Sequence, residues 1–102
     1  MAQLTVFAYP SGKKTHPLVV SLQSNLVDIA DSVVVAPLTP AHLLANAGTR
    51  LFPEVLVDGT SYRVLIPQMA AVSSRSLRGP VANLTNERAA ILAAIDLLFT
   101  GI

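Results

Sequence analysis

The chain has 102 residues, a length that predicts one domain over residues 1–102, with room for a real core but not for a second one. Hydrophobic residues make up 52% and charged ones 13%, against about a quarter in ordinary domains, so some apolar surface is expected to be covered by another chain. Seven Lys and Arg against six Asp and Glu leave a net charge of +1; the basic residues are scattered, which argues against direct nucleic-acid binding, and the absence of cysteine excludes disulfides and thiolate metal sites.

No apolar run approaches the about eighteen residues that span a bilayer, and no apolar stretch follows a basic start as in a secretory leader. A soluble, cytoplasmic protein without membrane contact is the expectation. In chain order, Gln3 to Tyr9 alternates Leu4, Val6 and Ala8 with Thr5, Phe7 and Tyr9, which predicts a strand with both faces in use. Pro10 to Pro17 reads as a solvated loop holding Lys13, Lys14 and His16. Leu18 to Gln23 and Val33 to Val35 are short β-branched runs and read as buried strands. Between them a turn carries Leu26 and Val27 beside Asp28, so apolar side chains are expected at the surface there.

Thr39, Pro40 and Gly48 predict a short helix: Thr39 as its cap, Pro40 at its first position, Gly48 at a left-handed exit, and Leu43, Leu44 and Ala47 toward the sheet. His42 then lies outside; with His16 the only other histidine, a metal site is not expected. Glu54 to Ile66 is the clearest hairpin, because Asp58 and Gly59 supply the two positive φ angles of a type I′ turn. Counting outward pairs Val57 with Thr60, Val55 with Tyr62 and Glu54 with Arg63, the last as an exposed ion pair. Pro67 to Met69 interrupts the run before Ala70 to Val72 resumes it, and Ser73 to Pro80 reads as a connector.

The last eighteen residues, TNERAAILAAIDLLFTGI from Thr85 to Ile102, predict a helix capped by Thr85. Ile91, Leu92, Ile95, Leu98 and Phe99 form one apolar stripe; Ala90, Ala93, Ala94 and Leu97 leave a second apolar face. Two apolar faces call for two partner surfaces. The end of this helix is therefore either docked with Ile102 in the core or presented to another protein. Taken together the elements predict an antiparallel, barrel-like α+β domain. No nucleophile elbow, phosphate-cradling glycine loop, zincin helix or zinc spacing occurs, so a binding protein without catalytic residues, cofactor or metal is expected.

The segments LQSNLVD from Leu22, VAPLTPAHLL from Val35, PEVLVDGTSYRVL from Pro53, QMAAV from Gln68 and the terminal IDLLFTGI resemble, in order and spacing, the CcdB family of toxins that poison bacterial DNA gyrase. The resemblance runs along nearly the whole chain. It implies an SH3-like antiparallel β-barrel with a small additional sheet and a C-terminal α-helix, and a homodimer whose helix ends lie side by side. Carried over by motif, the gyrase-binding residues are Leu26, Val27, Asp96, Phe99, Thr100, Gly101 and Ile102. The second face of the helix, Ala90, Ala94, Leu97 and Leu98, is the expected dimer interface. Two positions depart from the best-studied pattern: Thr100 stands for a tryptophan and Asp96 for an asparagine. The resemblance implies binding to the DNA gyrase A subunit, trapping of its cleaved-DNA complex, and neutralisation by a CcdA-like antitoxin whose disordered tail orders on binding. The alternatives are a MazF-like endoribonuclease, which would need a basic groove and a general acid or base, and a decayed relative that only binds antitoxin.

Overall fold

The computed structural model describes residues 2–10, 17–27 and 31–101. The predicted loop cations Lys13 and Lys14, His16, Asp28 and Ile102 lie outside them. Alternation in β1 (Thr5–Ala8) works as expected: Val6 enters the larger apolar cluster together with Leu4, and Phe7 enters a second one with Val19, Val33, Val35 and Leu77. Both faces of the strand are therefore covered. β1 pairs antiparallel with β2 (Leu18–Ser21), and β2 with β3 (Ser32–Pro40).

β3 is nine residues long, extending well beyond the short run Val33 to Val35 expected for it. Prolines at 37 and 40 argue against a central strand because they cannot donate to a ladder. The topology resolves the conflict. From Ser32 to Val35 one edge of β3 pairs with β6 (Ala70–Ser73), and from Leu38 to Pro40 the same edge pairs with β5 (Thr60–Val64). Pro37 falls between the two partners, and its carbonyl accepts the Leu65 N–H at 2.8 Å. β4 (Glu54–Val57) then lies outside β5, and β7 (Arg78–Asn83) outside β1, giving the order β4-β5-β3-β2-β1-β7 with β6 beside β3. This curled antiparallel sheet with one C-terminal helix, α1 (Arg88–Thr100), is the α+β architecture expected. The additional small sheet is the β4–β5 lobe, continuous with the rest through the end of β3.

β7 occupies part of the stretch expected to be a connector. Gly79 and Pro80 disguise it, yet an edge strand tolerates both. The helix expected from Thr85 opens with a 3-10 turn, Thr85–Glu87, and becomes α-helical at Arg88. Thr85 is not its cap; instead the Asn83 side-chain oxygen accepts the Thr85 N–H at 2.8 Å.

The hairpin is as counted. Asp58 and Gly59 have φ of 50° and 79°, and Val57, Val55 and Glu54 face Thr60, Tyr62 and Arg63. The Glu54 and Arg63 ion pair does not form. Glu54 accepts the Ser61 hydroxyl, while Arg63, 3% exposed, gives its guanidinium to backbone carbonyls: Leu44 at 3.0 Å, Ala47 at 2.8 Å, and also Gly48 and Phe52. Apart from that of Phe52, which lies beyond it, those carbonyls belong to the segment expected to be a helix and its exit. Only one 3-10 turn, Ala41–Leu44, forms there. Thr39 is buried inside β3 opposite Arg63 and is not a cap, Gly48 does not adopt positive φ, and Leu43 is exposed rather than turned to the sheet. His42 is on the surface, as expected.

A buried cation that satisfies several carbonyls at once predicts an asymmetry between the two paired positions. Arg63→Met is expected to lower stability by about 2–3 kcal/mol through orphaned acceptors, whereas Glu54→Ala should shift it by less than about 0.5 kcal/mol. Equal denaturation midpoints for the two variants would contradict this arrangement.

Candidate functional site

The register of α1 on the sheet decides what its C-terminal end exposes. Ile91 and Ala94 are fully buried, with Ile95 packed beside them on the larger cluster. Ala94, expected on the second face as a dimer contact, is thus a core residue. Its methyl lets the helix settle closely on the sheet, so the inward face is centred between Ile91 and Ala94. At about 100° per residue that centre turns Phe99 outward, and its ring is 68% exposed. The apolar stripe expected from Ile91 to Phe99 is therefore split: its start is core and its end is surface.

Asp96, Phe99 and Thr100, three and four residues apart, share the outward side, and all are exposed. The Thr100 hydroxyl donates to the Asp96 carbonyl at 2.6 Å. The Gly101 N–H donates to the Leu97 carbonyl at 2.9 Å, with Gly101 at φ 74°. This left-handed cap closes the helix. It leaves the Phe99 ring and the Asp96 carboxylate with no task inside the fold, and Gly101 adds no side chain beside them. Ile102 lies outside the described residues.

A second apolar surface stands on the turn after β2. Leu26 is 94% exposed and Val27 about half, as the sequence pattern predicts. The turn is held by its own polar groups. The Ser24 hydroxyl oxygen accepts the Leu26 N–H at 3.2 Å, and the Ser24 carbonyl accepts the Val27 N–H at 3.0 Å. The Gln23 amide donates to the Val27 carbonyl at 2.9 Å while its oxygen accepts the Val34 N–H at 3.3 Å. Gln23 thereby ties the turn to β3, and Leu26 is carried outward on a built loop.

The remaining positions expected at a dimer interface separate. Leu98 is 36% exposed. Ala90 and Leu97, with Ala93, line a groove against Thr49 and Arg50 of about 210 Å³. Sequence reasoning missed this groove, because nothing in the 49–50 segment signals that it returns to the helix. Among the described residues no three His, Cys, Asp or Glu side chains gather as metal ligands, and the ion pair between Asp31 and Arg75, at 3.5 Å, is solvent-exposed. No helix of the described residues is long and apolar enough to cross a membrane.

The family model for the CcdB protein matches residues 3–101, from ahead of β1 through the cap of α1. The chain belongs to the CcdB family. CcdB proteins are toxins of toxin–antitoxin modules, and the match takes in every exposed site position above, from Leu26 to Gly101. Such a site, carried by side chains that the fold does not use, should be separable from stability. Leu26→Ser and Phe99→Ser are expected to change the unfolding free energy by less than about 0.5 kcal/mol each. Ala94→Leu, one turn away on the buried face, should cost about 1–3 kcal/mol by overpacking. Denaturant titrations of the three variants test the assignment.

Proposed function

We propose that this chain poisons DNA gyrase: the C-terminal end of α1 binds the gyrase A subunit and holds the enzyme on cleaved DNA, with no catalytic residue of its own. The observation that carries the reading is the end of α1. An aromatic ring and a carboxylate stand exposed on one helix terminus without an intramolecular role, beside a capping glycine that has no side chain to hinder a partner. Clustered exposed anchors of this kind concentrate binding energy. Leu26 and Val27 supply a second apolar contact, and Ile102 extends the terminus. A CcdA-like antitoxin neutralises the toxin by ordering a disordered tail on its surface.

A homodimer would bring two such helix ends to one target. With Ala94 in the core, Leu98 is the dimer contact best placed at the terminus. One observation favours a second reading, a relative that binds antitoxin without poisoning: the Thr100 hydroxyl is folded back onto its own helix, where the family pattern has a tryptophan ring available for stacking.

Gly101→Glu tests the terminus. Its positive φ makes a side chain there cost about 1 kcal/mol, although a Cβ would meet no atom within 4 Å. The folded variant should lose inhibition of gyrase supercoiling, and Gly101→Asn, which tolerates the left-handed cap, should retain more of it. A folded Gly101→Glu protein that still inhibits at the original concentration would remove the terminus as the working site. For assembly, Leu98→Asp is expected to convert a dimer into monomer in sedimentation velocity at about micromolar protein, by placing an unpaired charge in an apolar contact. Wild-type protein that sediments only as monomer at tens of micromolar would rule the dimer out.

A further inference from the structure

Arg63 builds one wall of the groove beside α1. Its guanidinium takes the carbonyls of Ala47 and Gly48 on one side of Thr49 and Arg50, and that of Phe52 on the other. The three intervening residues, Thr49 to Leu51, are held between those bonds, with Thr49 and Arg50 opposite Ala90, Ala93 and Leu97, so the groove exists before any partner arrives. A preformed wall saves the ordering cost that a flexible one would add to binding.

Its size selects among occupants. Small-molecule and cofactor sites run to about 300–1,000 Å³, and about 210 Å³ falls short of that. The space suits one large apolar side chain brought by a bigger partner. The helix wall consists of the methyls of Ala90 and Ala93, which let a partner backbone approach closely, with Leu97 closing one end. The charge on the other wall selects further. Arg50 is exposed, and among the described residues no carboxylate pairs with it. An acidic partner is attracted there and a basic one repelled.

We propose that this groove binds an acidic peptide segment, which anchors one large apolar side chain against Ala90, Ala93 and Leu97 and sets a carboxylate on Arg50. The proposal stands apart from the gyrase reading, since it uses neither Phe99 nor Gly101.

The experiment titrates full-length protein into two fluorescein-labelled synthetic peptides of about fifteen residues, enough for marginal helicity, and reads anisotropy. Both carry Leu at helical spacing; one bears Glu on the flanking positions and its twin bears Lys. The Glu peptide is expected to bind with Kd of about 1–100 μM, and the Lys twin at least about tenfold more weakly. Arg50→Glu should weaken the Glu peptide about tenfold and improve the Lys twin, because reversal of an exposed charge adds repulsion to a lost attraction. Ala93→Trp, at an exposed helix position, fills the groove and should abolish binding of both. Gyrase inhibition by these two variants is expected to be unchanged. The proposal is overturned by absence of Glu-peptide binding up to about 1 mM, by equal binding of the twins, or by binding that survives Ala93→Trp. It is also overturned if either substitution changes the sedimenting species, since the groove would then be covered by a second copy of this chain.

Discussion

A guanidinium has five N–H donors and cannot shed its charge, so burying one obliges the fold to supply acceptors. Arg63 meets this demand with carbonyls alone. Leu44, Ala47, Gly48 and Phe52 turn their oxygens inward to it, and that requirement shapes the whole segment between β3 and β4. A regular helix there would consume the same carbonyls in its own i to i−4 bonds. Only the single turn Ala41–Leu44 forms, and the rest wraps the charge. The outer face of the β4–β5 lobe is thereby closed over Arg63, while Leu56 on the same face stays 65% exposed. The lobe shares the larger core with α1 through Val55, Val57 and Val64, while the polar contacts of Arg63 hold the segment that forms the other wall of the groove.

The rest of the sheet is organised by hydrophobic burial along β3. Val33 and Val35 enter the smaller cluster with Phe7; Ala36 and Leu38 enter the larger one with Val6, Val20 and Ile91. The strand changes partner between those pairs, from β6 to β5, as it passes from one core to the other. Polar groups hold the open start of β1 in the same region. Thr5 donates its N–H to the Ser21 hydroxyl oxygen at 3.1 Å, and both hydroxyls donate to the Ala2 carbonyl. Leu4 sits at φ 62° and is nonetheless buried. Leu4 bonds both ways, its N–H to the Ser21 carbonyl and its own carbonyl to the Leu84 N–H, each at 2.7 Å. The left-handed backbone costs about 1 kcal/mol, less than the about 1.5–3 kcal/mol gained by burying the side chain.

What could be read from the sequence was whatever rests on local rules. Asp58 and Gly59 determine a turn type, and the turn determines register, so the hairpin pairs followed by counting. Alternation in β1 sufficed to place Val6 and Phe7 on opposite sides. Local rules failed where a distant element decided the matter. Pro37 is admissible within β3 only because two different strands share one edge, and Gly79 and Pro80 are admissible in β7 only because it is an edge. Arg63 has a carboxylate opposite it in register yet is claimed by a segment far along the chain. At the site, the exposure of Leu26 and Val27 was legible from apolar residues in a turn. The helix faces were not, since Ala94 and Ala90 look alike in sequence and only the approach of the sheet separates them.

That approach also divides the helix into two unlike halves. Stability resides in its first half, where Ile91 and Ala94 are sealed against the sheet; beyond Ile95 the sheet no longer covers it, and exposure rises through Leu98 to Phe99. A terminus in this position is held rigidly by packing upstream and closed by the Gly101 cap, so its exposed groups are oriented before a partner arrives. Rigid presentation limits the entropy lost on association, and side chains that carry no core burden are free to vary with the partner. The departures at Asp96 and Thr100 fall on this part of the helix. They alter the chemistry offered at the terminus without touching the contacts that hold the helix in place.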